Sequence, residues 1–391
     1  METNSNNIIF CQAEIPYENQ GDLVINKVLL MKLRKYGRLI VNDNKVPAWY
    51  CKQLDLAYEE RVSTYQRRFP VLIFLWGLKT LFNPHKNVYL MLRPGHFYGE
   101  KDSLVNKMKW ATLYYFILKF IGIRVCRIGT SIGSFSDELK QVEKWRAKSM
   151  YFYSVRDSIS QDYALKIGIG NVRVFPDLAW LIEKQNEGDR LTWLMQTPDA
   201  HNQPLQLEKN DYVVFSFRET FKEFNASQYK ENLFAVLDEI VNTVCGEWLK
   251  KLVICYQVRR DSKVCQELIE RYKSRCEVIF IEDYLDSQYM YDLYSGASMV
   301  FSNRLHVLIF AMRCDSISIA IIDAKNEEKI VGIFSDAGLK RLILDIGKEP
   351  AEVSILPEIA ANSHQIKEEI AACFDRYKVS AEAQLKSIFN S

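Results

Sequence analysis

Net charge of one sign is missing from this chain, as are cysteine pairs and any apolar run long enough to span a bilayer. Its 391 residues hold 51 Lys and Arg against 49 Asp and Glu, a formal +2. That balance argues against a bulk nucleic-acid binder, which needs a strong basic excess. The nine cysteines are odd in number, scattered and without a CxxC pair, so buried free thiols in a reducing compartment are expected. The start, METNSNNIIF, has neither the charged opening nor the apolar stretch of a secretory signal, and a cytoplasmic protein is expected. Histidines number five (His85, His96, His201, His306, His364) and lie far apart, with no HxxxH or HExxH, so no metal site is expected. No GxGxxG fingerprint or phosphate-binding P-loop occurs.

The two most apolar stretches run from Phe69 to Phe82 and from Trp110 to Ile123. Both fall short of the ~20 residues a spanning helix needs, and each contains a lysine. Buried core helices are the expected outcome. The alternative is a helix lying on a membrane surface, for which Trp76, Trp110, Tyr114 and Tyr115 have suitable amphipathic rings.

What is present is alternation. Apolar β-rich runs such as IIFCQA, RLIVN, NVYLML and IRVCRI alternate with longer helical patterns, and this predicts parallel βαβ units. Residues 183–210 are polar and turn-rich and break the rhythm. A second series follows, with strands YVVFSF, KLVICYQV, VIFIED, MVFSN and SISIAII. The expected organisation is an N-terminal Rossmann-like domain over 1–182, a linker over 183–210, a second Rossmann-like domain over 211–345, and C-terminal helices over 346–391. Residues 1–200 hold 28 Lys and Arg against 20 Asp and Glu, and the remainder holds 23 against 29. The neutral total therefore hides a basic half and an acidic half. A basic first half suits an anionic acceptor or an anionic membrane surface; ordinary scatter on solvated faces also explains it.

In parallel α/β sheets ligands bind beyond the carboxyl ends of strands. The strand MVF ends in Ser302-Asn303-Arg304-Leu305-His306, ahead of an apolar helix. Arginine offers a planar fork for phosphate or carboxylate, histidine moves a proton near neutral pH, and a helix start favours an anion. Arg218 closes the strand YVVFSF, and the two arginines converge if their strands are neighbours. Lys329, after SISIAII, is a third candidate cation. Taken singly, a capping residue, an ion pair and a solvated lysine are the plainer readings of these positions. In the first half, Asn19-Gln20-Gly21-Asp22 follows the first strand, with Gly21 allowing a tight turn and Asp22 capping the helix. Loops are expected at Arg93–Gly99, holding Gly95 and His96, and at Gly129–Ser134, holding Ser131. Arg156 and Asp157 sit at another strand end.

This ordered set resembles the polysaccharide pyruvyl transferases. The resemblance rests on N-x-G-D (Asn19, Gly21, Asp22), on S-V-R-D-x-x-S (Ser154 to Ser160) with V-x-x-D-x-A (Val174 to Ala179), on the strand ending in Arg218, and on S-x-R-L-H (Ser302 to His306) with Lys329 downstream. It spans roughly residues 8 to 340. Where the family has a glycine-rich loop after its third strand, this chain has RPGHFYG.

The resemblance implies a GT-B-like fold of two Rossmann-like domains whose parallel sheets face a central cleft. It implies transfer of an enolpyruvate unit from phosphoenolpyruvate to two hydroxyls of a sugar, with release of phosphate and with no metal or cofactor. Arg218, Arg304 and His306 would be catalytic. The donor would lie against Arg218, Ser302, Asn303, Arg304, Leu305, His306 and Lys329. The acceptor would lie against Asn19, Gly21, Asp22, Gly95, His96, Ser131, Arg156 and Asp157. That acceptor would be a saccharide precursor of a surface or capsular polysaccharide, in one form undecaprenyl-linked, which would bring the protein to the inner face of the plasma membrane. Two other readings remain open: a GT-B glycosyltransferase using a nucleotide sugar, and a non-catalytic scaffold of polysaccharide assembly.

Overall fold

Strands covered on both faces must be apolar along their whole length. In the computed structural model, Tyr212–Ser216 and Ile317–Ile322 are buried at every position. The structure describes residues 6–14, 17, 19–83, 86–99, 102–184, 207–218, 226–281, 287–348 and 352–390. Most of the expected linker therefore lies outside the described residues.

The chain divides into two units, 1–17 with 22–181 and 377–391, and 18–21 with 182–376. The first holds β1 (Asn7–Gln12), α1 (Gln20–Leu33, from its third residue), β2 (Arg38–Asn42), α2 (Ala48–Gln53), α3 (Phe69–Leu81), β3 (Asn87–Leu92), β4 (Gly95–Gly99), α4 (Asp102–Phe120), β5 (Arg124–Arg127), β6 (Thr130–Phe135), α5 (Asp137–Ser149), β7 (Phe152–Val155), α6 (Ser158–Lys166) and β8 (Arg173–Val174). Its main sheet runs β2-β1-β3-β5-β7-β8, all parallel. The connections β2 to β3, β3 to β5 and β5 to β7 step the same way along the sheet. The right-handed crossover rule then puts α3, α4 and α5 on one face and α1, which steps back, on the other. Phe69, Leu72 and Ile73 of α3 share a core with Val105, Met108 and Leu118 of α4 and with Leu139 and Val142 of α5.

The second unit holds β9 (Tyr212–Ser216), α7 (Ala226–Val241), β10 (Lys251–Cys255), α8 (Ser262–Tyr272), β11 (Val278–Ile281), α9 (Ser287–Gly296), β12 (Met299–Ser302), α10 (Leu305–Arg313), β13 (Ile317–Ile322), α11 (Glu328–Ala337), β14 (Ile343–Asp345) and α12 (Leu356–Ala361). Its parallel sheet runs β11-β10-β9-β12-β13-β14, the Rossmann order 3-2-1-4-5-6. The order reverses between β9 and β12, the switch point at which such sheets bind ligands. Helix α13 (Ser363–Phe389) contributes residues to both units. In the first, the Phe389 ring stacks on Tyr36 at 4.9 Å, and the Tyr89 hydroxyl donates to the Ile388 carbonyl at 3.2 Å.

Three sequence expectations need correcting. Residues 95–99 and 130–135 are strands, not loops, and β4 pairs with β6 as a small parallel sheet. Next, α3 and α4 are buried on one side only. Phe82 remains 89% exposed, Trp110 72% and Phe120 90%, whereas Trp76, Tyr114 and Tyr115 are half-buried against the core. Finally, α1 begins at Gln20, so Asp22 lies within the first turn and Asn19 stands at the cap. All nine cysteines are free thiols.

Candidate functional site

In the second unit, β9 and β12 are direct neighbours, and Ser216 pairs with Ser302 at the last position of each. The Ser302 hydroxyl donates to the Ser216 carbonyl and accepts the Arg304 backbone N–H at 3.0 Å. Asn303 makes the next link. Its side-chain carbonyl accepts the Arg218 backbone N–H at 2.8 Å, and its amide nitrogen donates to the Tyr229 hydroxyl at 3.2 Å. Both strand exits are thus laced together, bringing Arg218 and Arg304 to one place at the switch point. Ser302 and Asn303 are buried and engaged with the protein, so they position the arginines. Leu305 is buried too, leaving its backbone at the helix start as its only polar contribution.

The cations are held by buried carboxylates. Arg304 pairs with Asp261, which is fully buried, and Arg218 pairs with buried Glu327. Lys329 lies 3.7 Å from the same glutamate. Among the described residues, these three cations share the two carboxylates as ion-pair partners. Burial, followed by the neighbouring Arg304 charge, pushes the Arg218 guanidinium down to about 9, so it remains charged at neutral pH but is held unfavourably. An arriving anion would relieve that penalty. Asp261 and Glu327 escaped the sequence reading. Asp261 follows β10 in the run VRRD and Glu327 follows β13, and only the strand order brings them to the arginines. Beside Tyr229 lies a pocket of about 170 Å³ lined by Gln228, Asn232, Asp323 and Asn326.

His306 is the second residue of α10, after Arg304 at its cap in extended conformation (φ −110°, ψ 117°). It lies against Gly21. A Cβ on Gly21 would stand 2.5 Å from His306 Nδ1 and 2.8 Å from its Cβ. The glycine is needed there for space, inside a helix, and not for the tight turn expected from sequence. Asn19 fixes this stretch by accepting the Gly21 N–H at 3.1 Å, while the Gln20 N–H donates to the Gln257 carbonyl at 3.4 Å. Residues 18–21 group with the second unit for these reasons. Gln20, also missed from sequence, is fully buried, and its side-chain amide has no hydrogen-bond partner among the described residues.

The residues expected on the acceptor side divide. His96 is exposed on β4, and Asn19, Asp22 and Gly95 are partly accessible. Ser131, Arg156 and Asp157 are not. The Ser131 hydroxyl donates to Asp157 at 2.5 Å and accepts from Arg156 Nε at 2.6 Å, while Arg156 Nη1 reaches Asp177 at 2.6 Å. Asp157 also caps α6 by accepting the Ser160 N–H at 2.7 Å, and Asp177 accepts the Ala179 N–H at 2.8 Å. This is a closed, buried network tying β6, β7 and α6 together. Ser131, Arg156 and Asp157, expected from sequence to face a ligand, are buried and hydrogen-bonded within it. Residues 129–133 also spell G-x-S-x-G, but Ser131 lies inside strand β6 and not at the strand-to-helix elbow that a hydrolase nucleophile requires. Among the described residues no three His, Cys, Asp or Glu gather as a metal site would need.

Two parallel doubly wound sheets place the protein in a broad class that solved structures delimit. The chain resembles Anabaena Alr3699/HepE in complex with UDP and glucose (TM-score 0.60, 12% identity, 99% of this chain and 100% of that one covered). It likewise resembles a glycosyltransferase from Rickettsia africae (0.58, 10%, 98% and 99%) and UDP-GlcNAc 2-epimerase from Neisseria meningitidis (0.56, 11%, 98% and 100%). These likenesses establish a GT-B-like fold. Within that class the profile of the polysaccharide pyruvyl transferases matches residues 19–315, and the chain belongs to this family. It is a transferase. No curated protein matches it.

Proposed function

We propose that this transferase moves an enolpyruvyl unit from phosphoenolpyruvate to a sugar diol. The observation that carries the reading is the convergence of Arg218 and Arg304 at the switch point of the second sheet, with His306 two residues beyond Arg304 at the start of α10. Phosphoenolpyruvate carries a carboxylate and a phosphate, and two guanidiniums with Lys329 form a cluster that suits both. His306 gives a proton to the methylene carbon, which becomes the methyl group and leaves C2 electrophilic. One sugar hydroxyl bonds to C2 and returns its proton to His306. The C2–O bond to phosphate then breaks. The second hydroxyl closes the ketal, and its proton leaves with the phosphate. Arg218 and Arg304 stabilise the departing charge. The acceptor is a precursor of a surface or capsular polysaccharide, and an undecaprenyl-linked form would bring the enzyme to the inner face of the plasma membrane.

Thermal melting tests the donor. Phosphoenolpyruvate at 100 times its Kd should stabilise the protein by about 2.7 kcal/mol, and a nucleoside diphosphate should not. Stabilisation by the diphosphate alone would instead favour a nucleotide-sugar glycosyltransferase. Arg304→Ala should weaken phosphoenolpyruvate binding by roughly 1.5–3 kcal/mol, as expected for a charge-assisted hydrogen bond. His306→Ala should reduce kcat and leave that affinity nearly unchanged. If neither variant alters binding or turnover, a scaffold role gains over catalysis.

A further inference from the structure

We infer that the outward faces of α3 and α4 dock the protein onto an anionic lipid bilayer. The two helices are neighbours on one side of the first sheet. The Tyr114 hydroxyl of α4 donates to the Pro70 carbonyl of α3 at 3.1 Å, and Gly77 of α3 packs against the side chains of Ile121 and Ile123. Their inner faces fill the core, and their outer faces present Phe74, Leu81 and Phe82 beside Trp110, Ile117 and Phe120, all exposed. On α4 these positions fall at i, i+7 and i+10, a stripe about 15 Å long. Isolated surface apolar residues are ordinary, but two adjacent helices presenting such side chains mark an interaction face.

The charge around this face selects the partner. Along residues 67–124, which include both helices, ten Lys and Arg stand against two Asp and Glu, and Lys109 lies 3.9 Å from Glu138 of α5. Arg67 and Arg68 precede α3, Lys79 lies on it, and Lys107, Lys109 and Lys119 lie on α4; all six are exposed. The Lys79 Nζ lies over the Trp76 ring, 5.1 Å from its centre. Aromatic and aliphatic side chains with a lysine and arginine border match acyl chains beneath anionic headgroups. Neither helix is long and apolar enough to cross the membrane, so the contact lies in the interface plane. This inference goes beyond the transfer reaction and is read without any substrate.

The test is co-sedimentation of the full chain with vesicles of phosphatidylglycerol and phosphatidylcholine, against phosphatidylcholine alone. Binding should need the anionic lipid and fade as salt rises. W110S/F120S should lower the partition coefficient about tenfold or more, and Lys107→Glu about fivefold or more. Unchanged circular-dichroism melting of both variants would show that the fold is intact. Equal binding to both vesicle types, no binding at low salt, or full binding by W110S/F120S would each overturn the inference. So would a dimer in sedimentation velocity that W110S/F120S dissolves without any lipid binding, since the face would then join two copies of the chain.

Discussion

Gly21→Ala should cut pyruvyl transfer about 10²-fold, through a residue that offers no chemistry of its own. The added methyl would stand 2.5 Å from His306 Nδ1 and 2.8 Å from His306 Cβ. The second distance matters more. Swinging the ring aside relieves the first clash but not the one with its base, so the start of α1 or of α10 must shift. Overpacking of this kind costs typically ~1–3 kcal/mol, which a melting curve will register. A displacement of about 1 Å at His306, the group proposed to give the proton, is enough for the ~10²-fold loss. Coupling separates this account from general damage. In a His306→Ala background, Gly21→Ala should cause little further loss of turnover, because the group it displaces is already gone. Full activity of Gly21→Ala, or equal losses with and without His306, would refute it.

Arg156→Met should be the most destabilising change, by about 3–5 kcal/mol. Arg156 is buried, with one nitrogen on Ser131 and another on Asp177, itself 1% exposed. Removing it leaves a carboxylate sealed from water without its counter-charge. In a unit of this size that corresponds to a fall in Tm on the order of 10 °C. Adding Asp177→Asn should recover part of the loss by removing the stranded charge. Lys140→Ala, which breaks the exposed pair with Asp137, should leave Tm where it was. Equal melting of Arg156→Met and the parent protein would mean that the network contributes nothing.

The contrast between these two residues shows what could be read from the chain before its structure. Runs such as SISIAII and YVVFSF announced themselves because strands buried on both faces cannot alternate with polar residues. The convergence of Arg218 and Arg304 was legible only conditionally, since it depends on β9 lying next to β12. The strands Gly95–Gly99 and Thr130–Phe135 were not legible: glycine, serine and proline around them look like turn residues, and each strand exists by pairing with the other. Asp261 and Glu327 were invisible because a buried counter-ion is defined by what crosses the sheet to meet it. The Gly21 position was identified for the wrong reason. Its motif stood out, but the close approach of a histidine nearly 300 residues later leaves no local trace. Arg156 and Asp157 belong to a motif that carries the family resemblance, yet they are buried with Ser131, and sequence alone does not separate a ligand contact from an internal brace.

The segment Tyr377–Phe389 has a consequence for how the protein is made. Phe389 closes over Tyr36 and Tyr89, at the far end of the first unit's sheet sequence, and Gln384 donates to the Val174 carbonyl at 3.0 Å. During synthesis, domains ordinarily complete themselves in order of emergence. Here the earlier unit waits for its last helix turns until some two hundred further residues have left the ribosome, so the later unit can finish first. A nascent chain halted near residue 182 would display an unfinished first unit, with the ring-binding surface around Tyr89 still open.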